Sequence, residues 1–148
     1  MNNQNSQNIN TVDDTANENS QDEGFENIYK EELMEIFKNP PNKGNLENPD
    51  TVSDKTNPLC GDEIHLELKI TNGIIEDAKF NGSACSVSVV SSAFLTEEII
   101  GKTVTEAKKI DKDKVLQLLN LNLTTSRVKC ATLVLDALKE ALEKYENK

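Results

Sequence analysis

The chain contains no tryptophan, four phenylalanines, two tyrosines and one histidine among its 148 residues. Aromatic side chains therefore cannot dominate its core, which must rest on Leu, Ile, Val and Ala. No apolar run approaches the roughly 18 residues that a bilayer-spanning helix needs. The N-terminus has neither a basic-then-apolar signal nor an Arg-rich transit pattern. A soluble, cytoplasmic protein with no membrane partner is expected. Basic runs are also missing: 16 Lys and Arg face 26 Asp and Glu, for a net charge of −10. Such a chain does not favour a phosphate backbone, so no nucleic-acid partner is expected. The cysteines number three, an odd count, and none are close in sequence. In a reducing cytosol they read as free thiols or metal ligands rather than disulfides.

Residues 1–24 are Asn-, Gln-, Asp- and Ser-rich, with five acids and no Lys or Arg. So little apolar surface cannot offset the entropy of ordering, and the segment is expected to be a disordered acidic tail. A single domain over 25–148 follows it. Ile28, Leu33, Ile36 and Phe37 recur at helical spacing, which predicts an amphipathic helix over 26–38, ended by Asn39-Pro40-Pro41-Asn42-Lys43-Gly44. Residues 46–56 are an edge strand or a loop.

Over 62–70 the pattern alternates. Ile64, Leu66, Leu68 and Ile70 take one face, and Glu63, His65, Glu67 and Lys69 take the other, as in a half-buried strand. Asn72-Gly73 predicts a type I′ hairpin turn, and 74–80 the return strand. The sheet is then antiparallel with one wet face. Beyond Asn81-Gly82 the period becomes helical. Ser83 is the expected N-cap of a helix over 84–100. Short helices are expected at 103–109 and 112–119. A final helix over 127–145 would carry Leu133, Ala137, Leu138, Ala141 and Leu142 on its apolar stripe. Strands first and helices afterwards make the fold class α+β: a small antiparallel sheet with helices packed on one face.

The cysteines fall at element ends. Cys60 precedes the first strong strand, Cys85 follows the second, and Cys130 lies in the first turn of the final helix. Helix N-termini favour the thiolate. A hairpin brings its ends together, so Cys60 and Cys85 should be neighbours. Gly61 can turn the chain so that Cys60 and Asp62 face one point. Three thiolates and one carboxylate suit zinc or the irons of a small cluster. The hard carboxylate is the weaker partner for soft iron–sulfide chemistry, which suits a site that gives up its cargo. The plainer alternative makes each cysteine a core filler.

His65 falls on the polar strand face and is read as a solvent-facing non-ligand. Arg127 and Lys129 are either solvated charges or auxiliary groups that favour the Cys130 thiolate. They would also offset a site whose charge with Zn²⁺, three thiolates and a carboxylate sums to about −2. Ser86, Ser88, Ser91 and Ser92 have no His or Lys base at catalytic spacing, and read as small-residue packing. A metallohydrolase would need a general base near the metal, and none stands out beyond Asp62 itself.

Together these stretches resemble one family. Asn57-Pro58-Leu59-Cys60-Gly61-Asp62, Gly73-Ile74-Ile75-Glu76-Asp77-Ala78-Lys79-Phe80, Gly82-Ser83-Ala84-Cys85-Ser86 and Val128-Lys129-Cys130-Ala131 are similar to the NifU N-terminal/IscU/SufU family. Tyr29, Phe37-Lys38-Asn39-Pro40-Pro41-Asn42 and Gly101-Lys102-Thr103 with Glu106-Ala107 extend the likeness over about residues 28–145. The resemblance implies an iron–sulfur cluster assembly scaffold carrying a transient [2Fe–2S] cluster or iron, or a zinc-dependent acceptor of persulfide sulfur. Either is a scaffold or sulfur carrier more than a true enzyme. It implies Cys60, Asp62, Cys85 and Cys130 as ligands, Cys130 as the persulfide acceptor, a PLP-dependent cysteine desulfurase as sulfur source and apo iron–sulfur proteins as clients. Lys129 stands where IscU-type members carry a histidine, as in SufU-type members. The 45 positions from Cys85 to Cys130 look like the shorter IscU-type spacing. The IscU-type chaperone-recognition motif is missing, and Thr124-Thr125-Ser126-Arg127-Val128-Lys129 occupies its region.

Overall fold

The computed structural model describes residues 23–59 and 61–147, with side chains from Lys30 onward. Cys60 and residues 1–22 of the expected tail lie outside the described residues, whereas Glu23 and Gly24, its last two positions, are helical. Contacts divide the chain into two units, Met1–Lys38 and Asn39–Lys148. The first presents helix α1, Glu23–Lys38. Within it Leu33 and Ile36 are half-buried and Met34 and Phe37 are exposed.

The second unit contains β1 (Thr51–Asn57), β2 (Asp62–Thr71), β3 (Ile74–Asn81), α2 (Ser86–Ile99), α3 (Val104–Lys108), α4 (Lys112–Leu119), α5 (Thr125–Ala131) and α6 (Leu133–Glu146). The strands form an antiparallel sheet in the order β1-β2-β3, and residues 51–57 are its edge strand. Asn72 and Gly73 both have positive φ, 54° and 76°, which the type I′ turn requires. The register shifts between Lys69 and Ile70, so the hairpin end is bulged.

Ile64, Leu66, Leu68 and Ile70 face inward, at most 6% exposed, with Ile75, Ala78 and Phe80 beside them. Helix α6 packs on β1 and β2, and α2 on β3. Small residues permit the first contact. The hydroxyls of Thr51 and Ser53 reach the carbonyls of Ala141 and Ala137 at 2.8 and 2.6 Å, which no larger side chains would allow.

The other sheet face is not uniformly wet. Glu67 is 7% exposed because residues 44–46 lie over it. It accepts from Leu46 N–H at 2.7 Å and Asn45 Nδ2 at 2.9 Å. His65 is half-buried, with its two ring nitrogens 2.8 Å from Asp54 and from Glu67, rather than simply solvent-facing. Segment 42–44 reaches β3 through Phe80 N–H to the Asn42 carbonyl and Gly44 N–H to the Phe80 carbonyl, each at 2.9 Å.

Helix α1 begins three residues before the expected 26, and two further helix boundaries differ in ways that bear on the cysteines. Helix α2 starts at Ser86, and its N-cap is Cys85, not Ser83. Ser83 is held outside the helix because its carbonyl accepts from Glu63 N–H at 2.8 Å. The expected single helix over 127–145 is two helices broken at Thr132. Thr132 leaves helical geometry there (φ −98°, ψ 3°), with its hydroxyl and its N–H both on the Val128 carbonyl at 2.9 and 3.0 Å. Cys130 therefore sits in the last turn of α5, and the expected N-terminal dipole effect on its thiol does not apply.

Candidate metal centre

Asp62 opens β2 directly after Gly61, whose φ of +73° is the left-handed turn expected there. Its carboxyl points into the protein and is 2% exposed. Oδ1 accepts from the Cys85 backbone N–H at 2.9 Å, and Oδ2 from the Ser88 hydroxyl at 2.8 Å. Cys85 Sγ lies 3.6 Å from Oδ2. Burial alone would push the Asp62 carboxyl up. The Ser88 hydroxyl, the Cys85 N–H and the thiols of Cys130 and Cys85 outweigh it and hold the group below the usual range.

Gly82 makes this approach possible. A Cβ on it would lie 2.0 Å from the Glu63 carbonyl oxygen, so only glycine lets the strand-to-helix connection run against β2. From there the chain delivers Cys85 to Asp62.

Cys130 is brought in by α5. Its carbonyl and that of Ala131, at the end of α5 where the helical ladder runs out, accept from Ser88 Oγ (2.8 Å) and Ser91 Oγ of α2. Two of the expected packing serines, Ser88 and Ser91, therefore clamp two helices together, while Ser92 bonds within α2, to the Ser88 carbonyl at 2.8 Å.

The result is a cluster in which one ligand atom each from Asp62, Cys85 and Cys130 lies within 4.8 Å of the others. Cys85 is half-buried and Cys130 is 2% exposed. Cys60, the fourth expected member, lies outside the described residues. Arg127 and Lys129 are exposed. Two sulfurs and one carboxylate oxygen in near-contact fit a thiophilic cation. Fully ionised they would carry three crowded negative charges, two of them buried, which a cation would offset. With the thiols protonated, the S–H groups instead bond to Asp62. A metal would replace those hydrogens and take up the lone pairs they occupy.

A three-strand sheet backed by helices, with thiols and a carboxylate brought together beside it, defines a class of small α+β domains with a candidate metal centre. The chain belongs to the NifU-like N terminal domain family, whose model matches residues 28–148. It is 35% identical to the zinc-dependent sulfurtransferase SufU of Bacillus subtilis, covering 82% of this chain and 94% of that protein. It is 36% identical to iron–sulfur cluster assembly scaffold protein IscU 1 of Archaeoglobus fulgidus, covering 82% and 78%. Among solved structures it matches a putative iron–sulfur cluster assembly scaffold protein for the SUF system from Fervidobacterium islandicum. That match has a TM-score of 0.64 and 29% identity, over 74% of this chain and 93% of the other. The Bacillus alignment spans 139 residues and the archaeal one 121, over the same share of this chain. The Bacillus protein therefore has residues without a counterpart here.

Ser88 and Gly82 were not singled out as site residues from the sequence. The close approach of Gly82 carries no local signal. The three-residue step from Cys85 to Ser88, almost one helical turn, was the available hint for Ser88.

Proposed function

We propose that this chain is an iron–sulfur cluster assembly scaffold. A [2Fe–2S] cluster, its cargo, is built on Cys60, Asp62, Cys85 and Cys130 and passed to apo-proteins. The reading is supported by one observation above the rest: a buried carboxylate and two thiols from three separate elements meet within 4.8 Å, in a chain of this family. Sulfur comes from a PLP-dependent cysteine desulfurase. The Cys130 thiolate attacks the outer sulfur of the desulfurase persulfide, the S–S bond breaks, and the desulfurase cysteine leaves as a thiolate. Because Cys130 is 2% exposed, this step requires the end of α5 to open. Arg127 and Lys129, exposed beside it, offset the negative charge that gathers there. Asp62 keeps the cargo transferable, since an oxygen ligand holds iron–sulfide chemistry less firmly than a fourth thiolate. The protein works in the cytoplasm; no helix among the described residues is long and apolar enough to cross a membrane.

A second reading is a zinc-dependent sulfur acceptor that holds no cluster. The likeness to the Bacillus sulfurtransferase over 94% of that protein favours it. In that case zinc rests on the same four residues and keeps the thiols ionised.

Anaerobic reconstitution with Fe²⁺, cysteine and a cysteine desulfurase, followed by absorption spectroscopy and metal analysis, separates the two. Visible thiolate-to-iron bands, longer-lived in Asp62→Ala, are expected of the scaffold. Tightly held zinc, no visible bands and desulfurase turnover that rises with this protein would replace it with the sulfur-acceptor reading.

A further inference from the structure

One buried hydroxyl touches all three described members of the site. Ser88 is 1% exposed. Its Oγ lies 2.8 Å from Asp62 Oδ2, 2.8 Å from the Cys130 carbonyl oxygen and 3.8 Å from Cys85 Sγ. A serine hydroxyl has a single hydrogen, so two acceptors at equal distance compete for it. The charge-assisted bond to a carboxylate is the stronger of the two. Without metal the hydrogen therefore belongs mainly to Asp62.

We infer that Ser88 is a positioning residue of the metal site: its hydroxyl, lodged against the backbone of Cys130, donates to the Asp62 carboxylate and aims it at the two thiols. The inference rests on the reading of Asp62, Cys85 and Cys130 as ligands. When thiols bind a metal they give up their hydrogens, so the S–H donors to Asp62 disappear as the site fills. Ser88 is then the donor that remains on Oδ2, while the Cys85 N–H steadies Oδ1. Removing the hydroxyl leaves the carboxylate held at one oxygen, free to turn from its productive geometry.

Ser91 supplies the control. It lies on the same helix, is equally buried at 1%, and donates to the Ala131 carbonyl of the same neighbouring helix, but makes no hydrogen bond to Asp62. Ser88→Ala and Ser91→Ala each remove one buried hydroxyl from the contact between α2 and α5. Only the first reaches the carboxylate.

The test measures Zn²⁺ affinity of the full chain by competition with a chromophoric chelator, and the ligand-field spectrum of the Co²⁺ form. Ser88→Ala is expected to bind Zn²⁺ about tenfold more weakly, the usual scale for losing a partner that orients a ligand, and to alter the Co²⁺ bands. Ser88→Thr, which keeps the hydroxyl, should restore most of the affinity. Ser91→Ala should bind as the wild type does, although both alanine variants lower the metal-free melting temperature. In an Asp62→Ala background, Ser88→Ala should add nothing. Equal zinc affinity in Ser88→Ala and wild type, equal losses in Ser88→Ala and Ser91→Ala, or a full further loss in the double variant would overturn the positioning role. If Asp62→Ala itself leaves zinc affinity intact, the ligand reading fails first and the role of Ser88 with it.

Discussion

The backbone N–H of Cys85 lies 2.9 Å from Asp62 Oδ1, so the N-cap of α2 is tied to the first residue of β2 before any metal arrives. The bond links the two candidate ligands through one's side chain and the other's main chain. Asp62 thus has a structural duty beside its chemical one. Metal-free Asp62→Ala should lose about 1–3 kcal/mol, the cost of leaving buried donors unpaired. Asp62→Asn, which keeps an acceptor for the N–H, should lose less. Urea denaturation in the presence of a chelator measures both, and equal stability of Asp62→Ala and wild type would remove the structural duty.

Two glycines near the site should respond differently to alanine. At Gly82, φ is +136° and the new Cβ would meet the Glu63 carbonyl at 2.0 Å, where only backbone can yield. At Gly61, φ is +73° and the space is open. Gly61→Ala should cost about 1 kcal/mol, from conformation alone. Gly82→Ala should cost about 3 kcal/mol or more and misplace Cys85 as well. Denaturant midpoints, with zinc affinity alongside, rank the two. A reversed order would contradict the close approach.

The thiols differ in access. Cys85 is half-buried at a helix N-cap, whereas Cys130 is 2% exposed in the last turn of α5. In metal-free protein, iodoacetamide should alkylate Cys85 at least about tenfold faster than Cys130, because the reagent reaches a half-buried sulfur more readily than a fully buried one. Zinc should protect both. Peptide mapping by mass spectrometry after timed quenching reads the two sites separately.

On the opposite sheet face, His65 should make stability depend on pH. Burial pulls its pKa down, but bonds to Glu67 and Asp54 outweigh this and raise it. Burial pushes Glu67 up, and the Leu46 N–H with the His65 and Asn45 side chains outweighs it and holds the carboxyl low. The His65 contribution is therefore complete below its unfolded value of about 6.5 and is lost as pH rises through the higher folded value. The Glu67 contribution is present above about 4.5 and is lost as pH falls through the lower folded value. The stability gap between wild type and His65→Asn should accordingly shrink from pH 6 to pH 9. A gap that stays constant over that range would show that the imidazolium contributes nothing.

Local signals carried much of the sheet and the smaller helices. The alternation from Ile64 to Ile70 predicts β2 because one residue type on every second position leaves a strand a single way to bury itself. Asn72-Gly73 specifies its turn because both positions need positive φ, and both have it. Thr103 and Glu106 form a capping box and Asp111 caps α4, which are contacts over three residues and hence legible locally. The break at Thr132 was not legible, since apolar residues continue across it, from Cys130 and Ala131 to Leu133 and Val134. The cap at Cys85 was also hidden. Ser83 is the better capping residue, but Glu63, twenty positions earlier, already engages its carbonyl. The cover over Glu67 comes from Asn45 and Leu46, a contact between segments that no periodicity encodes.

By itself the sequence determined the strand alternation, the hairpin, the order of strands before helices and the chemistry of the donor set. Each is written in neighbouring residues or in residue type. Its family motifs named Cys60, Asp62, Cys85 and Cys130 together, without a distance between any two of them. Only the tertiary structure decided that Asp62, Cys85 and Cys130 meet within 4.8 Å. It alone placed Cys130 at the end of a helix instead of the start, and set Ser88 between carboxylate and carbonyl. The physical reason is separation along the chain. Asp62 and Ser88 are 26 positions apart, and Ser88 and Cys130 are 42. What joins them is the packing of α2 against β3 and α5, a balance of burial and hydrogen bonding over the whole unit that no local stretch of sequence contains.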